Sequence, residues 1–331
     1  MKFGNVPVAQ AEGTLLAHSL RLAGGKLRKG HRLGAADIAA LSDAGYEEVT
    51  VARPGPGDLL ENDAAETLAR AIHDGATGLR LSQSFTGRVN LLAEGPGVVL
   101  VEAARITGAN SVDPMITVAT VPPYRQIHAD GMVATIKIIS YAVPRDAVTR
   151  AAVAARGAIR LAAPVHQSAT LIVTDIPGGP GRKGVDAIAT RLEGLGMTLA
   201  ETVTVAHQED ALARTVAAAA GDIVLILTGS ATSDPADTAP AALRRAGGRV
   251  ERFGMPVDPG NLLFLGEIGP KPVIGLPNSA RSPVLHGADW VLSRVACGLT
   301  VTSADIAAMG VGGLLKEIPT RPQPRQDRRK S

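Results

Sequence analysis

The sequence predicts an α/β protein: a three-layer α/β/α unit on a mostly parallel sheet, preceded by an N-terminal β-rich α+β region. Three observations carry this. From about residue 168, short apolar runs alternate strictly with helical segments, the pattern of parallel strands joined by right-handed crossovers. The run Ile223-Val224-Leu225-Ile226-Leu227 is unbroken branched apolar sequence, as expected of a strand buried on both faces. Between residues 88 and 139, strand-like runs follow one another, so the middle of the chain is a separate β-rich module.

Residues 1–60 form an N-terminal α+β segment. Leu33 to Ala44 is helical in pattern with Gly45 as its stop, and Val49-Thr50-Val51 is a strand. Pro54-Gly55-Pro56-Gly57 is a breaker cluster that marks a boundary. Residues 61–160 hold a helix over 63–74, strands at 88–92, 97–101 and 132–139, and an alanine-rich helix after Pro144. Residues 161–318 form the alternating unit. Its strands fall at 170–174, 199–205, 223–227 and 249–253, with helices near 184–195, 209–220 and 238–246. A hairpin-like pair (262–266 and 271–275) and a helix near 284–297 close it. Residues 319–331, with Arg321, Arg325, Arg328, Arg329 and Lys330, read as a disordered basic tail. No internal repeat is present.

Composition removes several functions. At 331 residues and 45% hydrophobic the chain can bury more than one core. Aromatics are 2%, too few for the stacking platforms of single-strand nucleic-acid binders. A net charge of +3 on this length is small, so neither nucleic acid nor a membrane surface is the expected partner. One cysteine, Cys297, excludes an internal disulfide and a cysteine metal cage. It reads as a buried small hydrophobe. The N-terminus lacks a signal-peptide core and no apolar run reaches membrane-spanning length, so the expected location is cytoplasmic.

The chemistry is expected in loops at the carboxyl ends of the strands, where open α/β sheets hold ligands. Thr228-Gly229-Ser230-Ala231-Thr232-Ser233-Asp234 offers small residues for close backbone approach and hydroxyls that donate to phosphate. Asp234 and Asp237 suit a Mg²⁺ facing a phosphate. Asp234 suits a turn before Pro235 equally well, whereas for Asp237 the helix-cap reading comes first. Pro177 to Gly184, with Arg182 and Lys183, is either a phosphate cradle or a mobile connection. Asp258-Pro259-Gly260-Asn261 is a further loop. Gly275 to Pro283 leaves a strand, supplies Pro277, Asn278, Ser279 and Ser282 as neutral groups and Arg281 as an anion fork, and enters a helix with Ser282 as N-cap and Pro283 as its first residue. The histidines form no zinc-hydrolase pattern, and His207 reads as a solvated loop residue before it reads as a base.

Taken together, Thr228 to Asp234, Leu243 to Gly248, Asp258 to Asn261 and Gly275 to Ser279 resemble the molybdopterin-binding domain shared by molybdopterin adenylyltransferases and molybdenum insertases. The resemblance covers roughly 168–300. Leu27 to Leu33 and the helix to Gly45 are more weakly similar to insertase outer domains, and the arrangement looks like the molybdopterin-binding half of bacterial fusion proteins. The resemblance implies molybdopterin or adenylyl-molybdopterin as ligand, with Mg²⁺ and molybdate. Asp234 would orient phosphate or metal, and Thr228, Gly229, Ser230 and Ser233 would supply close contacts. Pro259, Gly260, Asn261, Gly275, Pro277, Asn278, Ser279, Arg281 and Ser282 would line the pterin and phosphate pocket. It also implies a homo-oligomer and, as partner, a nucleotidyltransferase or an apo-molybdoenzyme.

Departures from the pattern matter. Thr228-Gly229 replaces a glycine pair, and His207 stands where the family has a carboxylate. Asn261 replaces a lysine, and Pro277-Asn278-Ser279-Ala280 stands in for Pro-Gly-Asn-Pro. The insertases' Asp-Gly-Tyr-Ala signature is missing from the N-terminal half. Three functions therefore compete: Mg²⁺-dependent molybdate insertion or adenylyl transfer, a cofactor-binding module that hands its ligand on, and an unrelated nucleotide-binding α/β protein.

Overall fold

A computed structural model describes residues 1–315 of the chain; the basic end expected over 319–331 lies outside the described residues. Two compact units are present among the described residues, Met1–Gly95 with Val99–Leu161, and Pro96–Val98 with the described chain from Ala162.

The first unit holds two cores. Strands Lys2–Pro7 and Leu15–Leu16 flank Glu48–Arg53 in antiparallel register, and helix Ala35–Asp43 precedes the central strand. Val8, Leu16, Leu33, Leu41, Val49 and Val51 are buried there. The second core lies on an antiparallel sheet ordered Ile116–Thr120, Met132–Ile138, Arg88–Ala93, Leu79–Leu81. Helices Glu61–His73, Ala103–Asn110 and Arg145–Ala155 contribute Leu68, Ile72, Ile106 and Val148 to it. Alanines at 64, 65, 69, 151 and 155 are fully buried. Their small side chains let helices lie close, which is how a chain so poor in aromatic residues fills a core.

The second unit is a six-stranded sheet ordered Thr198–Ala206, Ser168–Asp175, Ile223–Leu227, Lys271–Leu276, Phe264–Ile268, Arg249–Phe253. The first four strands are mutually parallel. Two antiparallel steps then follow, which makes the last strand parallel to the first four. All five parallel strands consequently end at one edge. Residues 176–184, 207–208, 228–237, 254–263 and 277–286 leave the sheet at that carboxyl rim.

Side chains of the buried strands split between two faces with period two. Leu171, Val173, Leu225, Ile274 and Leu276 join helices Val185–Glu193 and Gly287–Ala296 on one face. Ile172, Val224, Ile226 and Val273 join Glu209–Ala218 and Thr238–Arg245 on the other. Every residue of Ile223–Leu227 is 0% exposed, and each such side chain contributes about 2 kcal/mol of burial. The three-layer α/β/α architecture is as the sequence predicts.

One boundary is corrected. The helix that follows the strand Lys271–Leu276 begins at Gly287, with His286 as N-cap rather than Ser282, and Asn278–Arg281 is a separate 3-10 turn; a further short helix, Ser303–Ala308, comes after it. The cause is Arg191, whose guanidinium takes the carbonyls of Ser282 (2.7 Å) and Val284 (3.0 Å) and so holds residues 282–284 in a non-helical path.

Candidate functional site

The rim is wired by side chains that bond to backbone. Gly229 follows the central strand and its N–H donates to Thr174 Oγ1 at 2.9 Å. A Cβ at Gly229 would lie 2.8 Å from the Thr174 carbonyl oxygen, so this close approach requires glycine. Thr228 is buried, and its hydroxyl donates to the Ser230 carbonyl at 2.6 Å. The Asn278 amide, oriented by its surroundings, donates to the Thr228 carbonyl at 2.9 Å and accepts from Ala231 N–H at 3.3 Å. The glycine loop and the 277–281 turn thus form one rigid assembly.

Arg281, expected as an anion fork, ties loops together. It donates to the carbonyls of Gly181 (3.0 Å) and Thr228 (2.9 Å), and to that of Lys183. Burial pulls its guanidinium below the ordinary arginine value. Gly184, at φ +89°, lies directly under it, where a Cβ would come 2.6 Å from the Arg281 Cα. The glycine-rich loop 177–184 is therefore a docked element whose exposed Arg182 and Lys183 side chains remain at the rim.

Asp237 has both carboxylate oxygens on backbone amides, Oδ1 with Thr238 N–H at 2.7 Å and Oδ2 with Ser233 N–H at 3.0 Å. It caps the helix Thr238–Arg245. Asp234 is exposed and its Oδ1 accepts from Ala236 N–H at 2.7 Å in a turn. Asp175, at the end of its strand, is a further exposed carboxylate on the rim, with Oδ1 on its neighbour Ile176 N–H at 3.0 Å. The sequence reading did not select it. Replacing Asp237 with Ala is expected to cost about 1 kcal/mol through the lost cap, read as a lower urea midpoint with unchanged slope.

The 254–263 loop packs on the start of the helix Gly287–Ala296. Asp258-Pro259 is a cis peptide, and the Pro259 carbonyl accepts from Gly287 N–H at 2.9 Å. A Cβ on Gly260 would sit 3.1 Å from the Gly287 Cα. The exposed Asn261 side chain donates to the Met255 carbonyl at 3.4 Å, and the Asn261 carbonyl accepts from Met255 N–H at 3.0 Å. Pro277 is buried at the entry to the 3-10 turn, and exposed Ser282 gives its carbonyl to Arg191. Gly275 is not part of the rim assembly. It lies inside its strand, under the Phe264 ring, which would collide with any Cβ there.

Two histidines join the site. His207, expected in a solvated loop, is half-buried and bridges Thr174 Oγ1 (Nδ1, 2.8 Å) and Ser230 Oγ (Nε2, 3.1 Å). His286 is 1% exposed; its Nδ1 accepts from Ala288 N–H at 3.0 Å and its Nε2 meets Ser279 Oγ at 2.6 Å. Burial, with the nearby Arg191 charge, pulls its pKa down to about 4. Beside the exposed carboxylates of Asp175 and Asp234 the rim presents donors: the N–H groups of Ser230 and Thr232 have no hydrogen-bond partner among the described residues, and the hydroxyls of Ser230 and Ser233 stand beside them. No cluster of three or more His, Cys, Asp or Glu that could hold a metal ion occurs among the described residues. A separate recess of about 430 Å³, lined by Arg249, Glu267, Thr300 and Thr302 among others, opens at the opposite edge of the sheet. There Arg249 already pairs with Glu251 and Glu267. No helix among the described residues is long and apolar enough to cross a membrane.

Comparison with known proteins bears on the same segment. Residues 183–306 match the family model described as "Probable molybdopterin binding domain", and residues 5–53 match a domain of unknown function, DUF8806. No curated protein shows significant similarity to the chain. Among solved structures, the molybdopterin biosynthesis moea protein from Pyrococcus horikosii is 14% identical, with 84% of this chain and 70% of that chain covered and a TM-score of 0.28. A molybdenum cofactor biosynthesis protein from Pyrococcus furiosus is 12% identical, with 93% and 65% covered and a TM-score of 0.25. This chain thus spans just under two thirds of the second protein, and superpositions this loose carry no argument. The family match does, because it spans the glycine loop, the 254–263 loop and the 277–281 turn that the fold brings to one rim: residues 183–306 are a domain of the molybdopterin-binding family.

Proposed function

We propose that the chain serves molybdenum cofactor biosynthesis by binding molybdopterin or its adenylylated form at the carboxyl rim, as a module that passes the cofactor on to a partner. The observation that carries this reading is the unpaired donor set on the glycine loop. Buried backbone N–H groups in folded proteins are nearly always paired, with protein or with water, and loop amides that lack a protein partner and have hydroxyls beside them suit an anion such as phosphate. The Ser230 and Thr232 amides and the Ser230 and Ser233 hydroxyls would hold the ligand's phosphate, with Arg182 and Lys183 adding charge.

A second reading, molybdate insertion or adenylyl transfer with Mg²⁺, has support from Asp234, which is exposed and has only one oxygen engaged. Mg²⁺ commonly takes one or two carboxylates plus substrate phosphate. Of the two carboxylates expected to hold such an ion, Asp234 would be left to do so, because Asp237 is spent on amides. When bound, the ion would neutralise phosphate charge; Asp234 would hold it.

Calorimetric titration of molybdopterin with and without EDTA separates the two. The binding-module reading expects saturable binding that EDTA leaves unchanged and that Asp234→Asn leaves within about threefold. Binding lost in EDTA, with Mg²⁺-dependent release of AMP from adenylyl-molybdopterin when molybdate is added, selects the catalytic reading. Absence of pterin binding under both conditions contradicts both.

A further inference from the structure

The glycine loop is tied to the neighbouring strand by hydrogen bonds whose directions follow from donor and acceptor chemistry. Gly229 N–H donates to Thr174 Oγ1 at 2.9 Å. Thr174 is 0% exposed, and the only further partner of its hydroxyl among the described residues is His207 Nδ1, at 2.8 Å. If Nδ1–H were the donor, Thr174 would accept twice and its own proton would be buried without an acceptor, which is costly. Thr174 therefore donates to Nδ1, and a neutral imidazole that accepts at Nδ1 carries its proton on Nε2. Nε2 lies 3.1 Å from Ser230 Oγ, so the Ser230 oxygen accepts from the ring. Its own proton then points away from the imidazole, toward the rim. Both ring nitrogens are occupied, and neither offers a lone pair to a metal ion.

Resting on the phosphate-binding reading above, we propose that His207 is a positioning residue: it fixes the Ser230 hydroxyl as a one-way donor to the ligand's phosphate, so that this corner of the site grips the anion by hydrogen bonds and without a metal. Thr174 sets the ring's tautomer, and the same hydroxyl anchors Gly229, so one buried threonine holds both the loop and its donor in register.

The full chain with ¹⁵N-labelled histidine tests this by NMR at neutral to mildly alkaline pH. The expected spectrum shows His207 as the Nε2–H tautomer, and Thr174→Val is expected to release it to a mixture. Titrations in EDTA then use molybdopterin, dephosphorylated molybdopterin and inorganic phosphate. Ser230→Ala and His207→Ala are each expected to weaken molybdopterin about tenfold or more, the double variant to be no weaker than Ser230→Ala alone, and the dephosphorylated ligand to be unaffected. An Nδ1–H tautomer overturns the proposal, as do additive losses or an equal loss for the dephosphorylated ligand. If His207→Ala does not fold, the tautomer and the Ser230→Ala titrations decide. If the wild type binds inorganic phosphate in this way but no pterin, the ligand assignment fails and the role of His207 stands.

Discussion

Arg191→Met is expected to destabilise the second unit by about 3–5 kcal/mol and to abolish ordered ligand binding at the rim. Arg191 and Asp289 are largely buried, at 10% and 13% side-chain exposure. The guanidinium also donates to the carbonyls of Ala187 (3.0 Å), Ala280 (3.0 Å), Ser282 (2.7 Å) and Val284 (3.0 Å). Removing it leaves a buried carboxylate without its cation and carbonyls without donors, in the segment that carries Ser279 and Arg281. Methionine keeps most of the stem volume, so the loss reports the charge and its bonds more than a cavity. Trp290 is the only tryptophan and sits in the helix Gly287–Ala296. Its fluorescence in a urea titration therefore follows this unit. A midpoint within experimental error of wild type would mean that the clamp is not what holds residues 280–286.

Acid is expected to weaken the same unit through His286. Burial is the main cause that pulls its folded pKa from 6.5 to about 4, and the Arg191 charge adds to it. The unfolded chain therefore binds a proton that the folded chain refuses. The sign follows: this stability is fully present above pH 6.5 and falls as pH drops toward 4, by an upper bound of about 3 kcal/mol. The structural reason is visible, since Nδ1 must accept from Ala288 N–H to cap its helix and a protonated ring cannot accept. His286→Asn keeps a capping side chain and should flatten the stability profile between pH 6.5 and 4. An equally steep decline in that variant would assign the acid sensitivity to other groups.

The sheet was legible because its signals are local. Ile223 to Leu227 reads as a doubly buried strand from five adjacent residues, and the Asp237 cap follows from its place before Thr238. The wiring of the rim was not, because each link joins distant segments. Arg281 reads as an anion fork from its own turn, yet its partners Gly181 and Thr228 lie on two other loops. Ser282-Pro283 is a good local helix start, and it lost to Arg191, a residue on another helix. His207 looks solvated in Val205 to Asp210; only the parallel register, which sets Thr174 beside Val205 and Asp175 beside Ala206, brings it over the glycine loop. Thr174 gave one faint signal, which it shares with Thr170: a hydroxyl within a mostly apolar buried strand, which asks for a partner. In the first unit the brief strands Leu79–Leu81 and Arg125–Ile127 escaped detection because three residues are too few to show a period.

The donor-lined carboxyl rim, and no other surface of the second unit, is expected to receive the phosphate-bearing pterin. Backbone amide hydrogen exchange with and without saturating molybdopterin tests it directly. Protection is expected at Ser230 to Ser233, with a smaller effect at His207 and Asn278 to Ser279, and none at the opposite edge. Protection confined to Arg249, Glu267 and Thr300 to Thr302, with the glycine loop unchanged, would contradict it.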